Sequence, residues 1–207
     1  MKLYGHRGSP FVRKALVVLE EKGLRYESVE LSSVPGRKSP ELLELHPLGK
    51  IPVLRDGDVV VPDSSVVCAY LEKKHPTPAL YPDEPADLAR ALFLEEYSDT
   101  RLFEVLSGIL FERVVKPRVM GQPPDEARAL QLFERELPPV LDYLESQLRD
   151  GAPTLLSRFS VADAAIGGQL ATLTLSGLAI DRSRWPRSAR YHEALRSRPS
   201  FVSAMRR

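Results

Sequence analysis

One cysteine, Cys68, in 207 residues leaves no partner for an intramolecular disulfide and no CxxC redox pair. The scarcity fits a reducing compartment. Net charge is nearly absent too: 29 Lys and Arg stand against 28 Asp and Glu, a formal charge of +1. With no general field of one sign, the composition argues against nucleic acid or an anionic membrane as the partner of the whole surface. No segment approaches the roughly 20 apolar residues that span a bilayer. The start, MKLYGHRGSPFVRK, has no apolar core of a signal peptide. The four histidines, at 6, 46, 75 and 192, have no metal-ligand spacing. The expectation is a soluble cytoplasmic protein that uses no metal.

What is present falls into two halves. In the first, strand-like and helix-like pieces alternate. KLY near residue 3 is a short strand. Residues 10–22 carry Phe11, Val12, Ala15, Leu16, Val18 and Leu19 at helical spacing, and Gly23 stands where helices end. LRYESVEL (24–31) reads as a second strand, and SPELLELHP (39–47) as a short helix opened by Ser39-Pro40. IPVLRDGDVVV (51–61) is a hairpin turning at Asp56-Gly57, and residues 62–76 form a helix closed by Pro76. A β-α-β unit implies a parallel pair, and the hairpin adds antiparallel strands. Residues 77–87 lie in a proline-rich stretch without periodicity and read as a linker. After it, 88–207 are helical: long amphipathic stretches over 86–116 and 125–149, a buried helix over 160–177, and two shorter helices after Trp185 and Pro199. The fold class is α/β (1–76) followed by all-α.

Three helix or strand beginnings in the first half are candidates for one site. Ser9-Pro10 opens the first helix. Ser9 caps it, or donates its hydroxyl to an anion that the helix amino terminus favours. Pro52, after Lys50-Ile51, opens a strand where it removes a ladder donor; a cis bond would expose the backbone of Ile51 to an extended peptide. Asp63-Ser64 opens another helix, either as plain caps or as a corner for a carboxylate and an ammonium group.

With their order and spacing, these segments resemble the glutathione transferase superfamily over nearly the whole chain. SPFVRK (9–14) looks like the active-site segment of serine-type, tau-like and related bacterial enzymes. HPLGKIPVL (46–54) is similar to the cis-proline segment, PDSSVVCAYL (62–71) to the γ-glutamyl-binding segment, and FSVADAAIG (159–167) to the structural capping box formed by Ser160 and Asp163. The resemblance implies a thioredoxin-like domain, β-α-β-α-β-β-α, joined to an all-helical domain, and a homodimer. It implies that glutathione is co-substrate and that Ser9 stabilises its thiolate. Ile51 would pair with the cysteinyl backbone, Asp63 and Ser64 would hold the γ-glutamyl end, and Lys50 would approach the glycine carboxylate. Asp63 stands where glutamate is usual and His46 where asparagine is usual.

An electrophile pocket is expected between the domains, with Phe11, Phe103, Leu106, Leu110 and Phe111 as candidate lining on stripes that otherwise read as core. Cys68 reads as a buried core thiol. Serine at position 9 argues against an enzyme–glutathione mixed disulfide. The sequence leaves open a glutathione-dependent reductase or isomerase, and a non-catalytic adaptor on the same fold. The adaptor reading draws on residues 182–207, which carry eight arginines against one acid, Glu193.

Overall fold

The structure, a computed structural model, describes residues 1–33 and 39–206. A four-stranded sheet has the order β2-β1-β3-β4. Strand β1 (Lys2–Tyr4) runs parallel to β2 (Glu27–Val29), with Leu3 opposite Ser28, and antiparallel to β3 (Val53–Asp56), with Leu3 opposite Leu54. Strand β4 (Val59–Pro62) closes the sheet against β3. The hairpin loop is Gly57-Asp58, one residue later than the Asp56-Gly57 pair suggests, because Asp56 still pairs with Val59 and Gly57 takes the positive φ of 62°. Strand β2 is shorter than residues 24–31, because its partner β1 offers only three positions. Helices α1 (Pro10–Glu21), α2 (Pro40–Leu45) and α3 (Ser64–Lys74) complete the first domain.

The span read as a linker is partly helical. Helix α4 (Pro85–Tyr97) starts inside it, with Pro85 at the first position and the Glu84 carboxylate accepting from the Asp87 N–H at 3.0 Å. Residues 75–84 are tied down as well: Lys22 Nζ donates to the carbonyls of His75 and Pro78 at 2.7 and 2.8 Å. Helix α4 continues through a wider i→i+5 turn at Ser98–Leu102 into α5 (Phe103–Leu110) and a second wide stretch, Phe111–Met120, ended by Gly121 at φ 65°. The next rod is interrupted likewise. Helix α6 (Glu126–Gln131) passes through wide turns at Leu132–Glu136 into α7 (Leu137–Gln147). Pro138 and Pro139 lack the N–H groups that regular i→i−4 bonding needs, which accounts for the second interruption.

Helix α8 (Val161–Leu175) is the central post, buried without a break from Val161 to Leu173. It packs on α1, α4 and α5. Its start is held by Asp163, whose Oδ2 accepts from the Ser160 N–H (2.9 Å) and hydroxyl (3.0 Å). Its Oδ1 accepts from the Leu155 N–H (2.9 Å) and the Tyr191 hydroxyl (3.0 Å). The capping box expected at Ser160 and Asp163 is thus also a junction between α8, the preceding loop and α9 (Pro186–Ser197). Helix α10 (Pro199–Met205) ends the described chain.

Five of the carboxyl-terminal arginines have acidic partners, three of them in exposed surface pairs. Arg182 pairs with Glu193, Arg184 with Asp142, Arg187 with Glu145, Arg190 with Asp150 and Arg198 with Glu21. Arg207 lies outside the described residues.

Two stability measurements follow from this packing. Asp163→Ala strands several buried donors, and chemical denaturation should show a loss of about 3 kcal/mol or more. His192 is 7% exposed, and burial lowers its pKa from 6.5 to about 4. The unfolded chain therefore takes up a proton that the folded protein refuses. Stability should fall as pH drops from about 6.5 to about 4, by up to about 3 kcal/mol. His192→Asn should flatten that part of the pH–stability curve.

Candidate active site

Ser9 is the amino-terminal cap of α1, with extended backbone (φ −77°, ψ 127°) and Pro10 next. Its Oγ accepts from the Val12 N–H at a long 3.5 Å. The cap is thus observed; a hydroxyl that accepts from the helix keeps its own proton for another acceptor. Ser9 is half-buried at the positive end of the helix dipole.

Gly5 brings the loop before Ser9 against the proline segment. It has φ 147°, and a Cβ there would meet Val12 Cγ2 at 2.6 Å and Ile51 Cβ at 3.3 Å. Only glycine allows this approach. The Ile51-Pro52 bond is cis. Ile51 precedes the first ladder pair, Tyr4–Val53, so its backbone stands outside the sheet. Lys50 beside it is exposed.

Asp63 is the one non-glycine among the described residues with positive φ, 75°. Such backbone costs on the order of 1–3 kcal/mol and needs local compensation. The compensation is visible: Asp63 Oδ1 accepts from the N–H groups of Ser65 (2.8 Å) and Val66 (3.3 Å), capping α3. Asp63 stays exposed, while Ser64 is buried, 2% exposed.

Two buried cations hold the starts of α1 and α3, and the sequence reading missed both. Arg13 and Lys14 lie off the apolar stripe, as solvent-facing residues would, yet each is 1% exposed. Arg13 donates to four neutral oxygens: the carbonyls of Arg7 (3.1 Å), Gly8 (2.9 Å) and Gly168 (2.9 Å), and Thr172 Oγ1 (2.6 Å). Burial lowers its pKa to about 9, so it remains charged at neutral pH. Lys14 Nζ meets Ser65 Oγ (2.9 Å), Glu95 Oε1 (3.0 Å) and Asp99 Oδ2 (2.5 Å). It links α1, α3 and the α4 rod. A signal was available: Glu95 and Asp99 are like charges at i,i+4, which need a cation from elsewhere.

The proposed electrophile lining divides. Phe11 and Phe103 meet across the domains, with ring centroids 4.7 Å apart, and both are half-buried. Leu110 is half-buried and Phe111 exposed at 39%. Leu106 is a core residue, 1% exposed, because it faces inward from α5. Cys68 is fully buried with its thiol pKa pushed up by burial, as a core thiol should be. Among the described residues no His, Cys, Asp and Glu cluster suits a metal ion, and no helix is long and apolar enough to cross a membrane.

Lys14→Met should destabilise the fold by about 3–5 kcal/mol in a thermal or urea melt, by leaving two buried carboxylates without a cation. Adding Glu95→Gln and Asp99→Asn to that variant should restore much of the loss.

Comparison with known proteins agrees with this geometry. Residues 3–79 match the family model "Glutathione S-transferase, N-terminal domain", and residues 125–194 match "Glutathione S-transferase, C-terminal domain". Glutathione S-transferase 3 of Zea mays is 33% identical over 97% of this chain and 91% of its own. The crystal structure of a glutathione S-transferase from Rhodospirillum rubrum F11 superposes with a TM-score of 0.90 at 26% identity, covering 100% of this chain and 92% of that one. The structure of a glutathione S-transferase-I bound to lactoylglutathione has a TM-score of 0.85 at 26% identity, over 98% of this chain and 97% of that one. Proteins named as zeta-class and tau-class members are similar as well, so the likeness is to the family rather than to the tau-like class that SPFVRK suggests. A thioredoxin-like sheet domain followed by a helical domain, carrying both family signatures, makes this chain a member of the glutathione S-transferase family of enzymes.

Proposed function

We propose that this enzyme binds glutathione at the junction of α1, the Ile51-Pro52 turn and the start of α3, and that Ser9 stabilises the thiolate for attack on an electrophile or peroxide. The observation that carries the reading is the position of Ser9. Its hydroxyl caps α1 as an acceptor and still has a proton to donate, at a helix amino terminus backed by the buried Arg13 charge. A thiol with pKa about 8.5 is only a few per cent ionised at pH 7. Lowering that pKa by about two units takes roughly 2.7 kcal/mol of preferential thiolate stabilisation. A hydrogen bond to a charged acceptor contributes about 1.5–3 kcal/mol, and the helix end about 0.3–1 more. Serine acts as donor, not base.

In this reading the backbone of Ile51, beside Pro52, pairs with the cysteinyl unit. Asp63 takes the ammonium group through the carboxylate oxygen not used for capping, and Ser64 the γ-glutamyl carboxylate. Lys50 reaches the glycine carboxylate. Phe11 and Phe103, with Leu110 and Phe111, form the wall on which an apolar electrophile rests. Asp63 is shorter than glutamate, and its side chain is exposed. The protein acts in the cytoplasm as a homodimer, a reading supported by exposed apolar side chains on β4 (Val59, Val60), α3 (Val66) and α4 (Leu92, Phe93). Of the eight carboxyl-terminal arginines on which the adaptor alternative draws, five have acidic partners within 4 Å.

Ultraviolet pH titration of bound glutathione is the direct test. Wild-type protein should show thiolate below pH 7, and Ser9→Ala should return the thiol toward about 8.5 while lowering kcat/KM by about tenfold to a hundredfold. Bound glutathione with an unshifted thiol in the wild type would remove the mechanism. Sedimentation should give a dimer; a monomer at every concentration would refute that part.

A further inference from the structure

The loop that delivers Ser9 is poorly packed on one side. A cavity of about 620 Å³ lies between Gly5–Gly8, Ser28 of β2, Leu175 of α8 and Met205 of α10. Gly8 is exposed, and His6, Arg7 and Ser9 are only half-buried. A segment with few buried apolar contacts opens easily unless hydrogen bonds hold it. Ser9 depends on that hold, because its N–H donates to the His6 carbonyl at 3.0 Å and Arg7 lies inside the turn so formed.

Two arginines supply the hold, each to a different helix. Arg13 ties the loop backbone to α8: it donates to the Arg7 and Gly8 carbonyls and to Gly168 and Thr172. Arg7 ties the loop to α10, where its Nη1 donates to the carbonyls of Ser203 (3.0 Å) and Ala204 (2.8 Å). These belong to the last turn of α10, whose carbonyls have acceptor capacity that the helix leaves unused. Among the described residues, Arg7 makes the only side-chain hydrogen bonds between this loop and α10. Helix α10 is itself a firm anchor. Phe201 is 3% exposed and packs so closely on α8 that a Cβ at Gly167 would lie 2.4 Å from its Cζ. Arg198, just before α10, meets both oxygens of Glu21, at 2.6 and 2.7 Å.

We propose that Arg7 is a positioning residue for thiol activation. By fastening the loop to α10 it sets the direction of the Ser9 hydroxyl, and the carboxyl-terminal helix takes part in catalysis without touching glutathione. The inference rests on the reading of Ser9 as the donor to the thiolate. A hydrogen bond weakens steeply as its angle and length depart from ideal, so a small displacement of the loop costs much of that donation. A donor group works only as well as the contacts behind it hold it in place. Arg7 exchanges no proton and makes no contact with the reacting atoms.

Arg7→Gln tests this, with Arg7→Lys as the conservative variant. Both should fold, because Arg7 is only half-buried. Hydrogen–deuterium exchange on the full-length protein without ligand should be faster from His6 to Val12 in Arg7→Gln than in the wild type. With glutathione bound, ultraviolet titration should place the thiol pKa about 0.5–1 higher in Arg7→Gln. At saturating glutathione, kcat/KM for chlorodinitrobenzene should then fall about threefold to tenfold near pH 6.5. Near pH 8.5, where the bound thiol is ionised in both proteins, the loss should nearly vanish. Arg7→Lys keeps a donor for the same carbonyls and should recover most of the loss. Unchanged exchange around Ser9 in Arg7→Gln overturns the proposal, whatever the thiol does. A loss of kcat/KM of equal size at both pH values overturns it too, because it would mark a merely structural role. Failure of the Ser9 reading shows elsewhere, as an unshifted thiol in the wild type.

Discussion

The contact between α1 and α8 is the constraint on which the rest depends. Helix α8 approaches the first turn of α1 so closely that a Cβ at Gly168 would lie 3.0 Å from the Pro10 carbonyl oxygen and 3.4 Å from the Lys14 nitrogen. Glycine makes that approach possible, and Arg13 seals it by binding the Gly168 carbonyl and Thr172 on one side and the Arg7 and Gly8 carbonyls on the other. The loop that carries Ser9 is therefore fixed from behind by the helical domain. The start of the thioredoxin-like helix and the central post of the second domain form one unit.

The two buried cations have different electrostatic roles. Arg13 meets only neutral oxygens, so its full charge remains uncompensated beside the amino terminus of α1 and adds to the helix dipole there. Lys14, one residue later, meets two carboxylates and a hydroxyl, so its charge is spent on holding α1, α3 and the α4 rod together. Desolvation makes such a cluster costly, and its good geometry makes it specific. The site built on this frame has its one positive-φ non-glycine residue among the described residues at Asp63, whose own carboxylate caps α3 and holds it.

The order of elements was legible in the sequence because each has a local cause. Ser-Pro pairs open α1 and α2, a glycine turn makes the hairpin, and the Ser160–Asp163 box opens α8. These signals act within a few residues, so spacing alone reveals them. Boundaries were less legible where the cause is distant or missing from local rules. Helix α4 begins inside a proline-rich stretch that looks like pure linker, and Pro138 and Pro139 widen a rod that periodicity alone reads as regular.

The candidate site was legible as three starts whose order and spacing point to one site; the buried cations behind them were not legible. What the sequence by itself determined is the chemistry on offer: a serine at a helix amino terminus, a proline before a strand, and an acid and a serine before another helix. Only the tertiary structure decided that Arg13 and Lys14 would be buried, that five of the eight carboxyl-terminal arginines would have acidic partners, and that His192 Nε2 would be buried without one. The physical reason is that capping and turn formation are contacts between near neighbours. Burial and charge compensation instead depend on residues far apart in the chain, such as Arg13 and Thr172, which meet only when the domains pack.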